Sequence, residues 1–180
     1  MKYMFASDIH GSAYYCRKML EAYEQQGAVR LILLGDLLYH GPRNDLPREY
    51  DPKQVLAMLN RYRDQIYAVR GNCDSEVDQM VLEFPMMADY ALLELNGKTI
   101  YATHGHRYHR EALPPMRPGD ILIHGHTHLP VAEAMGRCYL LNPGSVSLPK
   151  DENPNSYGIL DGDRFTVLDF EGGKVKEISL

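Results

Sequence analysis

The chain has 180 residues, 44% of them apolar and 24% charged, with 13 tyrosines, as expected of one globular domain with a core large enough to need no disulfide staples. Its net charge of −5 argues against a general nucleic-acid binder, which needs a basic face to neutralise phosphates. An acidic protein can still bind phosphate where metal ions supply the positive charge locally.

The opening segment Lys2–Ser7 reads as a buried strand, followed at once by Asp8-Ile9-His10-Gly11. A helical pattern runs from about Ala13 to Gln26, with Met19, Leu20 and Tyr23 on one face and Gly27 as its stop. Val29–Leu34 is a second apolar strand that ends in Gly35-Asp36. After a polar loop from His40 to Pro52, a second helix is expected from Asp51 or Pro52 to Asp64. Ile66–Val69 then forms a third strand, ending in Gly71-Asn72. Strands alternating with helices predict a parallel sheet covered on both faces.

The second half reads differently. Tyr90–Leu95 and Lys98–Thr103, joined by Asn96-Gly97, carry the signature of a hairpin with a type I′ turn. Asp120–Ile123 is a short strand ending at His124, and Val131–Met135 pairs with Arg137–Leu141 around Gly136. Tyr157–Leu160, Arg164–Phe170 and Lys174–Ile178 continue the antiparallel pattern, separated by Asp161-Gly162 and Gly172-Gly173. The expected architecture is a two-sheet α/β sandwich flanked by helices, parallel in its first half and built of antiparallel hairpins in its second. One domain spans residues 1–180, without repeats or linkers.

The three cysteines, Cys16, Cys73 and Cys138, are odd in number and form no CxxC pair, which suits a reducing compartment. The N-terminus holds too few apolar residues before Asp8 for a signal-peptide core, and no run approaches the ~18–20 apolar residues of a membrane span. A cytoplasmic location is expected, with no strong nucleic-acid binding. The apolar edge strands of the second half are compatible with a homodimer.

The metal-competent residues fall at strand ends. Asp8 and His10 follow the first strand, Asp36 the second and Asn72 the third. His104 follows the hairpin, and His126 and His128 follow the strand at Ile121. These are the carboxyl ends, where α/β sheets place ligands. Each piece alone has an ordinary explanation: Asp-x-His as a helix cap, Gly-Asp and Gly-Asn as turns, solvated loop histidines. Three imidazoles in His124-Gly125-His126-Thr127-His128 are harder to explain that way, and the coincidence at five strand ends points to metal. Carboxylate, amide and imidazole donors without thiolates suit Mn²⁺, Fe²⁺ or Zn²⁺. Seven donors are too many for one tetrahedral ion and enough for two ions sharing a carboxylate. Such ions, roughly 3.5–4 Å apart, can clamp a phosphoryl group.

Asp8-x-His10, Gly35-Asp36, Gly71-Asn72-Cys73-Asp74, His104 and Gly125-His126-Thr127-His128, in this order, resemble the calcineurin-like metallophosphoesterase superfamily over residues 3–145. The Gly-Asn-Cys-Asp block and the ending Leu141-Asn142-Pro143-Gly144-Ser145 resemble its small prokaryotic phosphodiesterase branch. The resemblance implies one ion on Asp8, His10, Asp36 and His128 and a second on Asp36, Asn72, His104 and His126. Mn²⁺ is expected in both sites, with Zn²⁺ or Fe²⁺ also accepted. It implies hydrolysis of a small phosphodiester by in-line attack of a metal-bridging hydroxide.

Many members of the superfamily carry His after the Asn, where this chain has Cys73. A thiol is a poor proton donor near pH 7, so good leaving groups or another donor, such as His106, are required. Cys73, Asp74 and His106 are the candidate catalytic residues. Arg70 and Arg107 are the candidate substrate-oxygen binders, and His109, His40 and Arg43 rank below them. The Asn142–Ser145 turn is expected to support the metal loops, and Gly11 and Gly35 to let backbone pass close to the ions. The rival readings are a phosphomonoesterase with the same centre and a non-catalytic scaffold of the same fold, which would tolerate lost ligands. A metallo-β-lactamase-like site is excluded because that fold requires His-x-His-x-Asp-His, and here Leu129-Pro130 follows the histidines with no Asp-His.

Overall fold

Residues 1–180 are described by a computed structural model. Its first three strands, β1 (Lys2–Ala6), β2 (Arg30–Leu33) and β3 (Ile66–Ala68), run parallel in adjacent positions. Their side chains alternate between two different covers. Met4, Ala6, Leu31 and Leu33 face a core that includes Cys16, Met19, Leu20, Val55 and Leu59. Phe5, Ile32 and Leu34 face the opposite way, against Ile100, Ala102, Ile121, Ile123 and Leu141. Burial on both faces is why these strands read as unbroken apolar runs. One face of the parallel sheet carries helices and the other a second sheet, as the expected two-sheet sandwich flanked by helices requires.

The helix α1 occupies Ala13–Gln26, as its periodicity predicts. The Ser12 hydroxyl accepts from the Tyr15 amide at its start, and Gly27 closes it at φ +61°. The helix α2 covers Pro52–Asn60, with Asp51 as N-cap, and stops short of the expected Asp64. The chain there tightens into i→i+3 bonds, Arg61 amide to Met58 carbonyl and Tyr62 amide to Leu59 carbonyl. Asn60 is also drawn away, its side chain donating to the Val81 carbonyl and accepting from the Glu83 amide. A short 3-10 turn (Arg63–Gln65) then leads into β3. A third helix, α3 (Glu76–Val81), was not anticipated; it buries no residue and is started by a Ser75/Asp78 capping box.

The remaining strands are β4 (Tyr90–Leu95), β5 (Lys98–Thr103), β6 (Ile121–Ile123), β7 (Pro130–Met135), β8 (Cys138–Pro143), β9 (Ser156–Asp161), β10 (Arg164–Asp169) and β11 (Lys174–Ser179). The six-stranded sheet has the order β11-β10-β9-β1-β2-β3, and the five-stranded sheet β4-β5-β6-β8-β7. The β4–β5 hairpin turns at Asn96 and Gly97 with φ of +50° and +81°, as a type I′ turn requires. The second half is mixed rather than purely antiparallel, because β6 pairs in parallel with both β5 and β8. Long crossovers, residues 104–120 and 124–137, separate these strands, and a crossover of that kind permits parallel pairing. In consequence β1, β2, β3, β5 and β6 all end at one rim.

The two sheets meet at Phe165, which is fully buried, packs edge-on against Phe5 at 6.4 Å and lies over Gly158. Phe165→Ala is expected to lower stability by about 3–5 kcal/mol, read as a reduced urea midpoint with an unchanged m-value.

Candidate metal centre

The loops after β1 and β2 leave their strands side by side. The Asp8 amide donates to the Gly35 carbonyl (3.1 Å), the His10 amide to Asp36 (2.9 Å) and the Gly11 amide to Leu37 (2.9 Å). Five of the seven expected ligands, Asp8, His10, Asp36, His126 and His128, lie at φ between +49° and +64°. Left-handed backbone at Asp and His is uncommon, and strain of this kind clusters where side chains must be aimed at a site.

These loops bring the side chains together in two groups that share a carboxylate. In the first, Asp8 Oδ1 lies 3.3 Å from His128 Nε2 and 3.6 Å from His10 Nε2, and the two imidazole nitrogens are 3.4 Å apart. In the second, His104 Nε2 lies 3.0 Å from Asn72 Oδ1 and 3.2 Å from His126 Nδ1. Asp36 Oδ2 stands between them, 3.7 Å from His10 Nε2 and 3.4 Å from His104 Nε2. Each carboxylate is anchored through its other oxygen: Asp8 Oδ2 accepts the His126 amide (3.0 Å) and Asp36 Oδ1 the Cys73 amide (2.8 Å).

The donor set fits divalent ions on two independent grounds. Asp8 Oδ1 is fully buried without a hydrogen-bond partner, its neighbouring imidazoles approaching only as charge contacts. The far nitrogens of three rings are held by backbone carbonyls: His10 Nδ1 by Tyr39 (2.8 Å), His104 Nδ1 by Leu34 (2.7 Å) and His128 Nδ1 by Leu148. That places the proton on Nδ1 and turns the Nε2 lone pairs toward one another, as second-shell carbonyls do for metal-binding histidines. Without ions, protons take their place. Burial favours the neutral acid at Asp8, but the adjoining His10 and His128 imidazoles and the His104 charge outweigh it and hold the carboxyl well below its usual range. Burial lowers His104, yet Asp36 and Asp8 more than compensate and raise it to about 9. His126, pushed down by burial and by His104, falls to about 4.

The surrounding residues hold this geometry. Asp74, buried, accepts the amides of Asp36 (2.9 Å), Leu37 (2.9 Å) and Gly71 (2.7 Å), so it clamps the β2 and β3 loops together. Its carboxylate is spent on backbone, which makes it a positioning residue rather than the expected catalytic one. The hydroxyls of Ser145 and Ser147 donate to the Asp8 carbonyl, and Asn142 Nδ2 to the Gly125 carbonyl and Thr127 hydroxyl. Backbone approaches the ligands most closely at Gly71, where a Cβ would fall 2.1 Å from Asp36 Oδ1, and at Gly125, where it would fall 2.8 Å from Asp8 Oδ2. Gly11, expected near the ions, instead packs on the Leu38 carbonyl and the Tyr50 ring.

The centre opens into a cleft of about 640 Å³ lined by His10, Asp36, Asn72, His126 and His128, with Cys73, Arg43 and Lys150 around them. Cys73 also joins His10 and Asp36 in a third group of potential donors, but burial and the Asp36 charge raise its thiol to about 12. Arg70 and Arg107 do not line this cleft. Arg70 Nε donates to the Asp74 carbonyl (3.3 Å), and Arg107 is exposed in an ion pair with Asp89 (2.5 Å). His40 packs edge-on against Tyr39 and Tyr50 rather than lining the mouth. His106 lies 5.4 Å from His104 and 6.3 Å from His126 by ring centroids, and with His109 it lines a neighbouring cleft. The Asn142–Ser145 turn supports the metal loops as expected, whereas sequence reasoning missed Ser147, which any turn could hold, and Lys150, which sits in a loop with no pattern to mark it.

The profile of the calcineurin-like phosphoesterase superfamily domain matches residues 1–164. Phosphodiesterase YfcE of Escherichia coli K12 is 52% identical over 168 residues, covering 93% of this chain and 91% of that protein. A probable metallophosphoesterase of Bacillus subtilis, YsnB, is 27% identical over 99% of this chain and 96% of its own. The solved structure of the E. coli phosphoesterase Yfce superposes with a TM-score of 0.98 over 99% of both chains. Vacuolar protein sorting 29 of Cryptosporidium parvum, at 18% identity and a TM-score of 0.65 over 99% of this chain and 98% of its own, shares the fold. The chain belongs to the calcineurin-like phosphoesterase superfamily.

Proposed function

We propose that the protein is a metal-dependent phosphodiesterase with two divalent ions, Mn²⁺ foremost, acting on small phosphodiesters. The observation that carries this reading is the convergence of seven donors in two groups around the Asp36 carboxylate. Asp8, His10, Asp36 and His128 would hold one ion, and Asp36, Asn72, His104 and His126 the other. When bound, the ions supply Lewis-acid stabilisation of phosphoryl charge and an activated water. The activity named for the E. coli relative is that of a phosphodiesterase, which supports the same assignment here. Every ligand that a scaffold of this fold could lose is present.

The chain's own residues shape what can react. His10, His104 and His128 are held as Nδ1–H tautomers by backbone carbonyls, so their ligand atoms need no rearrangement. Arg43 and Lys150, lining the cleft without ion-pair partners, are better placed than Arg70 or Arg107 to meet substrate oxygens. Cys73 stays a thiol at neutral pH and offers no strongly acidic proton to a departing alkoxide, which favours diesters with good leaving groups. We read the chain as a single domain of the cytoplasm, where its three free cysteines would stay reduced.

Chelator-stripped protein is expected to hydrolyse an aryl phosphodiester only after Mn²⁺ is added, with little turnover of the matching monoester. Strong monoester turnover would shift the substrate class, and none with any divalent ion would leave only the scaffold reading. Cys73→His is expected to flatten the dependence of rate on leaving-group pKa by supplying a proton donor; an unchanged slope across a series of aryl and alkyl diesters would refute that role.

Ion binding is expected to release protons. His104 is raised to about 9 in the ion-free protein, so it carries a proton at pH 7.5 that an ion must displace. Apparent affinity therefore rises with pH up to about 9 and falls below it by about one decade per unit for each proton displaced. Calorimetric titration in two buffers of different ionisation enthalpy reads the proton count directly.

A further inference from the structure

A second cleft, of about 400 Å³, lies beside the first and shares His126, Thr127 and Leu129 with it, so the His126 loop is the wall between them. Its volume is that of a small-molecule site. Apolar side chains, Leu129, Val131 and Leu140, form part of its lining, and the imidazoles of His106, His109 and His124 supply flat polar edges. The ionic groups on it are already matched: Arg110 pairs with Glu133, and His109 with Glu111 (2.8 Å). It therefore offers no free positive charge for a further phosphate. The unpaired cations, Arg43 and Lys150, belong to the other cleft.

Resting on the phosphodiesterase reading, we propose that this second cleft binds the non-leaving arm of the substrate, and that this arm carries a neutral planar ring with hydrogen-bonding edges, as a nucleoside does. A diester has two arms, and with its phosphorus at the metal centre one of them would reach past the shared His126 loop into this cleft. The arm on the Val131 side meets an apolar surface and imidazole edges, which favour stacking of a ring over solvation of an alkyl chain. Val131, partly exposed on β7, lines this cleft but not the one at the metal centre, and is the specificity-determining residue open to substitution.

The test compares two diesters with the same p-nitrophenolate leaving group, methyl p-nitrophenyl phosphate and adenosine 5′-(p-nitrophenyl phosphate), using Mn²⁺-loaded protein. The wild type is expected to show a KM at least tenfold lower for the adenosine ester. Val131→Trp, which fills the cleft, should raise that KM at least tenfold while leaving kcat/KM for the methyl ester within about twofold. Val131→Ala should keep the preference, and methyl-ester turnover together with the thermal midpoint reports whether each variant is folded. Equal KM for the two esters in the wild type, or equal loss on both in folded Val131→Trp, would overturn the proposal. Absence of methyl-ester turnover by the wild type would instead be a failure of the phosphodiesterase reading itself.

Discussion

A carboxylate buried to 0% exposure with one oxygen lacking a hydrogen-bond donor is the constraint from which the site can be reconstructed. Asp8 cannot stay ionised there for free, since an isolated buried charge is far costlier than a neutral group. Its carboxyl is nevertheless held well below the usual range, so positive charge must be supplied within a few ångströms. The imidazoles of His10 and His104, both raised by the carboxylates beside them, supply it as protons when no ion is present. Cations held by the same atoms would supply more charge and let the imidazoles return to their neutral form.

Holding that arrangement requires rigidity from outside the site. Five ligand residues sit in left-handed backbone, a conformation that persists only where surrounding contacts over-determine it. The contacts come from both sheets. The β1 and β2 loops hydrogen-bond to each other, Asp74 ties the β2 loop to the β3 loop, and Ser145 and Ser147 bring the segment after β8 onto the Asp8 carbonyl. The core between the sheets, Phe5 and Ile32 against Ile100 and Ile123, fixes the distance across which the donors must meet. Packing energy from a large apolar interface thus offsets local strain at the rim, and a shift of one sheet against the other would separate His104 and His126 from Asp8 and Asp36.

Much of this was legible in the sequence, and the limits have physical causes. Strand ends were readable because Asp8, Asp36, Asn72 and His104 each interrupt an apolar run, and the helix over Ala13–Gln26 carried both its cap residues, Ser12 and Gly27. The covering sheet was legible only from the hairpins of the second half, since an unbroken apolar strand is the same whether helices or another sheet lie on its second face. The parallel pairing of β6 escaped for a related reason, since a three-residue strand between long crossovers has no turn to declare its direction. Arg70 and Arg107 were singled out for sequence proximity to ligands, but they follow their strand ends by two and four residues and point to a carbonyl and a carboxylate elsewhere. Arg43 and Lys150 reach the cleft from loops whose paths depend on tertiary packing alone.

The chain's overall charge sharpens the coupling between ions and substrate. At −5 the protein has no overall attraction for phosphate, and the floor of the cleft holds two carboxylates within reach of one another through His10. Arg43 and Lys150 are exposed, and in water at physiological salt such charges are screened beyond about 8 Å. They can orient an anion at the mouth, while at the floor the protons on His10 and His104 balance the two carboxylates and leave little net positive charge. Divalent ions held by those carboxylates would bring the net positive charge that imidazole protons only balance, so anion affinity would rise as the ions load.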